Sequence, residues 1–267
     1  MTVARPWWHA HNAELEALTA EDRRWLPEDA DLPTHVLQLL DAVEARFAAA
    51  RTVADWADPH EDPATPGEHA EPREEEYSRV SHPERHLVVG ERVQAWVDEL
   101  VARGLAGREE VPPPRPLGPS EPASSGDGWL LRPRPELDRV VVLLPQRAGA
   151  LPLVLGQIGS EAVVVAAGSP AVELALLPDC GCDACDSGSA ALLQEVDEAV
   201  LPVVDGSLRV RVTAEREQVA SAGSARTASW ARSDTRARRR ALGRGAYEHA
   251  GPPWDPAWPV RRPSPFA

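Results

Sequence analysis

The chain has 267 residues, 43% of them hydrophobic, which is enough for a sizeable core. Its net charge of -14 gives a field that repels phosphate, and this opposes nucleic-acid and anionic-membrane binding. No apolar run approaches bilayer length, and no basic start followed by an apolar run marks a signal peptide, so a soluble cytoplasmic protein is expected.

Residues 1–33 are polar, broken by Pro6, Pro27 and Pro33, and carry Trp7, Trp8 and Trp25. They read as an N-terminal arm packed on the body. The spacing of Val36, Leu39, Leu40, Val43 and Phe47 predicts a helix from Thr34 to Trp56, with Thr34 able to cap it. Residues 58–76 form a Pro- and acid-rich loop, read as a solvated linker. Pro83 suits the first turn of a second helix running to about Arg103, with an apolar stripe of Leu87, Val93, Trp96, Val97 and Leu100. A Pro/Gly/Ser-rich stretch over 108–128 reads as a linker or long loop.

Val/Leu-rich runs follow at Leu137–Leu144, Leu151–Ile158, Ala162–Ala167 and Val172–Leu177. Their short polar connections imply antiparallel neighbours. A helix through Leu192, Val196 and Val200 is expected next, capped by Ser187 or Ser189. Leu208–Thr213 and Arg226–Trp230 read as further strands. An arginine cluster at Arg236, Arg238, Arg239, Arg240 and Arg244 reads as charge compensation. The expected fold class is therefore α+β: N-terminal helices packed on a mostly antiparallel sheet, one domain over 34–250, and a Pro/Trp-rich tail over 251–267.

All three cysteines lie in Pro178-Asp179-Cys180-Gly181-Cys182-Asp183-Ala184-Cys185-Asp186, between the last of the four strands and the next helix. In a reducing compartment, clustered thiols favour metal or redox chemistry over a structural disulfide. Three thiols within six positions let one loop wrap a single ion, and zinc asks for four ligands in a tetrahedron. The fourth can come from Asp179, Asp183 or Asp186 nearby, or from His82, His86 or His249 elsewhere. A neutral imidazole adds no charge to a site already at about -1, which makes it the cheaper donor.

Other readings stay open. Cys182 and Cys185 form a Cys-x-x-Cys ahead of a helix, a possible thiol redox pair, although neighbouring aspartates oppose thiolate formation. The loop can also be structural and metal-free, closed by Asx-turns. An acidic inhibitor or immunity-type protein that binds a basic partner is a further alternative. No Gly-x-Ser-x-Gly, His-Glu-x-x-His, Walker or dinucleotide motif is present, and the chain is read as non-enzymatic.

Glu74-Glu75-Glu76-Tyr77-Ser78-Arg79-Val80, Pro83-Glu84-Arg85 and the cysteine motif together resemble the bacterial family catalogued as domain of unknown function 6226, and Asp58-Pro59-His60 fits the same pattern. The likeness covers about residues 34–250. His86 stands where the resemblance implies a large aromatic. The resemblance implies no activity, but it does imply that the loops at 77–85 and 179–186 act together by meeting in space.

Overall fold

The computed structural model describes residues 6–24, 26, 30–62, 64–65, 67–113, 136–213, 215–222, 224–229 and 247–263. Helices α1 (Trp7–Ala17), α2 (Ala20–Arg23) and α3 (Thr34–Ala50) come first, followed by 3-10 turns at Glu74–Ser78 and Pro83–His86 and helix α4 (Leu87–Ala102). Strands β1 (Ala106–Val111), β2 (Arg139–Pro145), β3 (Leu153–Ile158), β4 (Ala162–Ala167) and β5 (Val172–Leu177) form a five-stranded antiparallel meander in that order. A 3-10 turn at Asp183–Cys185 and helix α5 (Gly188–Val204) lead to β6 (Arg209–Val212), β7 (Arg216–Ala220), β8 (Ala225–Ser229) and β9 (Tyr247–Ala250). These last four make a second antiparallel sheet, ordered β8-β7-β6-β9. The α+β class is as expected, with the cysteine loop between a strand and a helix. The strands divide into two sheets.

Alternation along β2, β3 and β4 sends residues to opposite faces. Val141, Leu143, Leu153, Leu155, Val163 and Val165 join α3, α4 and α5 in the main core. Val140, Val142, Val154 and Val164 build a smaller core on the other face, with Val111 and Leu137. Burial on both faces explains why these strands read as continuous apolar runs. Among the described residues, no helix is long and apolar enough to cross a membrane.

Several boundaries differ from expectation. Helix α3 stops at Ala50, because the Thr52 backbone N–H and hydroxyl both bond Glu91 of α4 and draw the chain away from the helix axis. Pro33 occupies the N-cap position, and no side chain caps the helix. Strand β1 falls where a helix end and the start of a linker were expected. Its Gly107-Arg108-Glu109-Glu110 centre is polar because it is an edge strand with solvent on one side. In the N-terminal stretch, Trp8 is buried. In the tail, the Trp254 backbone N–H donates to Val204 O at 2.9 Å, and buried Arg261 pairs with Asp205 at 2.9 Å. Trp25, most of the 108–128 linker, Trp230 and the 236–244 arginine cluster lie outside the described residues.

A buried ion pair fastens the helices together. Arg92 of α4 and Asp197 of α5 are 1% and 0% exposed, and two guanidinium nitrogens reach the carboxylate at 2.8 and 2.7 Å. The indoles of Trp96 and Trp7 also donate to Asp197, at 2.7 and 2.9 Å, while Glu44 of α3 takes a third Arg92 nitrogen at 2.7 Å. One carboxylate thus links α1, α4 and α5. Desolvating both charges is costly, and removing one strands the other. Asp197→Ala is expected to lower unfolding free energy by about 3–5 kcal/mol. The joint change Arg92→Met with Asp197→Leu should recover much of that loss in urea titrations.

Candidate metal centre

The cysteine loop starts where β5 ends at Leu177 and closes through one 3-10 turn. The Cys185 N–H donates to Cys182 O at 3.0 Å, and the Asp186 N–H donates to Asp183 O at 3.2 Å. This turn folds Cys185 back toward Cys182, two residues after Cys180. Cys180 and Cys182 Sγ are 3.2 Å apart, and all three Sγ atoms lie within 4.8 Å of one another. Tetrahedral bonds of about 2.3 Å to zinc space sulfurs about 3.8 Å apart, a value inside this range. Three cysteines this close can hold a metal ion. Cys182 is buried, and Cys180 and Cys185 are exposed.

Two of the loop's three aspartates, Asp183 and Asp186, anchor it. Asp183 accepts from the Ser81 N–H and Ser81 hydroxyl, both at 2.7 Å, and from the Arg79 guanidinium. The Asp183 N–H donates back to Arg79 O at 2.8 Å. The Ser81 hydroxyl, then Arg79, then the Ser81 N–H hold the Asp183 carboxyl well below the usual carboxylate range. Asp186 accepts from the Trp56 indole at 2.7 Å, from Arg85 at 3.1 Å and from the Gly188 N–H at 3.0 Å. The Arg85 guanidinium lies 5.3 Å over the Trp56 ring. His60 Nε2 sits 3.0 Å from Asp183 O. The segments 77–85 and 179–186 therefore do meet in space.

The start of α5 is fixed by the same neighbours. Its N-cap position, Ser187, makes no side-chain cap bond. Asp186 does that work at Gly188, and Ser189 instead exchanges bonds with the backbone of Trp56, at 3.1 Å to Trp56 O and 3.2 Å from Trp56 N. Gly188 needs φ +81°, and a methyl group there would fall 2.6 Å from Asp58 N.

Among the described residues, no imidazole or carboxylate joins the three sulfurs within 4.8 Å. Of the candidate fourth ligands, Asp183 and Asp186 are engaged as above. His82 is exposed and lies 3.2 Å from Glu84. Asp179 is exposed beside Cys180. His249 is on β9, where its Nε2 and the Tyr247 hydroxyl both meet Pro170 O, Nε2 at 3.0 Å. Anchoring roles for Trp56, His60, Arg79, Ser81 and Arg85 were not foreseen individually. The sequence signals were the Tyr77–Arg85 motif for Arg79, Ser81 and Arg85 and Asp58-Pro59-His60 for His60, with none for Trp56.

The thiols are not equivalent. Hydrogen bonds from the Cys182 backbone and then from its thiol lower the Cys180 pKa. Cys185 is pushed up to about 12, first by its hydrogen bond with Cys182 and then by burial. Cys180 and Cys182 Sγ are 3.2 Å apart, and Cys182 also interacts with Cys185, its partner in the redox alternative.

His249 gives a pH test away from the loop. Burial lowers its pKa, partly opposed by its bond to Pro170 O. A depressed histidine contributes stability that is present above its unfolded value, about 6.5, and lost as pH falls through the folded value. Unfolding free energy should decline below about pH 6.5, and His249→Phe should flatten that decline in urea titrations across pH.

The family described as "Family of unknown function (DUF6226)" matches residues 43–262. No curated protein and no solved structure gives a significant match. With the match covering most of the chain, including every residue of the cysteine loop and its anchors, the protein belongs to the DUF6226 family.

Proposed function

We propose that this protein binds one soft divalent cation, zinc first among them, through Cys180, Cys182 and Cys185, and that the ion fastens the loop between β5 and α5 as a structural clasp. The observation that carries this reading is the convergence of three sulfurs within 4.8 Å on a loop that five side chains from distant segments hold in place. Sulfur donors select zinc-like ions over hard cations such as magnesium or calcium. The role is non-enzymatic, and a reducing compartment such as the cytoplasm keeps the thiols available.

The clasp acts through linkage. An ion that binds the folded loop and not the unfolded chain stabilises the fold by about 4 kcal/mol at a free concentration of 1,000 times Kd. Protein purified without a histidine tag should carry about one equivalent of zinc by elemental analysis. Cys182→Ser should abolish that content and remove the chelator-sensitive part of the urea midpoint. Metal below about a tenth of an equivalent, with a midpoint unchanged by chelator, overturns the proposal.

A further inference from the structure

Building on the metal reading above, we propose that His86 supplies the fourth ligand, making the centre a three-sulfur, one-nitrogen site. His86 closes the 3-10 turn at Pro83–His86 and stands at the N-cap position of α4. Its ring lies on the cysteine loop at Gly181, between Cys180 and Cys182. A methyl group on Gly181 would fall 3.0 Å from His86 Cε1 and 3.5 Å from His86 Nδ1. Glycine here leaves the space that the imidazole occupies. The His86 imidazole makes no hydrogen bond or ion pair among the described residues, so turning the ring toward the sulfurs breaks none. That turn is needed, since its nitrogens lie outside the 4.8 Å sulfur cluster.

Each of the other seven histidines has a contact of its own, six of them away from the sulfur loop. His9 pairs with Asp41, His11 with Ala30 O, His69 with Asp58 and His82 with Glu84. His35 stacks on Trp258 with ring centroids 4.9 Å apart, and His249 bonds Pro170 O. His60 touches the loop, but its Nε2 is committed to Asp183 O. Of the loop carboxylates, only Asp179 lacks a hydrogen-bonding partner among the described residues. Asp179 would bring the site to about -2, whereas neutral His86 leaves it at about -1.

X-ray absorption at the zinc edge, on full-length wild type and His86→Phe, tests this. Phenylalanine keeps a ring on Gly181 and removes both nitrogens, and His86→Gln serves as a second variant if the first folds poorly. Wild type should show three sulfurs at about 2.3 Å and one nitrogen at about 2.0–2.1 Å, with imidazole outer-shell scattering. His86→Phe should keep the sulfurs, lose the imidazole scattering, and weaken zinc binding by at least about tenfold in chelator competition. Wild-type zinc without imidazole scattering overturns the inference, as does imidazole scattering that persists in the variants, which would indicate His60. A light-atom ligand lost in Asp179→Asn assigns that residue instead and also overturns it. Failure of wild type to bind zinc is a separate result that removes the clasp itself.

Discussion

Two aspartates of one short loop, Asp183 and Asp186, tie the cysteine segment to distant parts of the chain. Asp183 holds Ser81 and Arg79, and Asp186 holds Trp56, Arg85 and the first turn of α5. Charge-assisted bonds of this kind are short and directional. Any one of them, partly exposed, is worth little in free energy. Together they leave the loop few other orientations. With these two carboxylates engaged by their partners, neither joins the sulfurs, and Cys180, Cys182 and Cys185 converge on one another.

That arrangement depends on the depth of the helices beneath it. His86 and Arg92 lie on one continuous stretch, six residues apart, so the buried pair sits about 9 Å along α4 from the loop-facing end. On α5, Asp197 is nine residues from Gly188, or about 14 Å. Fixing Arg92 against Asp197 therefore limits how far apart the starts of α4 and α5 can lie, one carrying His86 and the other carrying the exit of the cysteine loop. A core pair of charges that would be hard to justify on stability alone gains a reason as a spacer.

Strands β4 and β5 were legible to the residue because both are short apolar runs ended by glycine or proline. Strands β1, β7 and β9 were not, since Gly107-Arg108-Glu109-Glu110, Arg216-Glu217-Gln218 and Tyr247-Glu248-His249 carry little apolar signal and owe their state to pairing with β2 and β6. The three sulfurs could be read from spacing because their convergence is local. The roles of the aspartates could not. Asp183 and Asp186 look like ligands in sequence, and what makes them anchors lies more than 100 residues away, at Arg79, Ser81 and Arg85. Trp56 was missed for a related reason: an alanine-rich helical pattern continued to it, while the Thr52 contact with Glu91 ended the helix earlier.

In the proposed clasp, the same anchoring bears on the choice of ion. Asp179 acts on Glu195 of α5, whose pKa is raised first by burial and then by the negative charges of Glu198 and Asp179. Such a field draws cations toward the loop but does not distinguish among them. Distinction comes from the donors. A calcium or magnesium ion asks for six or more oxygens, and the two carboxylates best placed to give them are held by arginine, serine and tryptophan. With those oxygens withheld, the donors left to the proposed clasp are the three sulfurs and Asp179, a set that favours soft ions over hard ones.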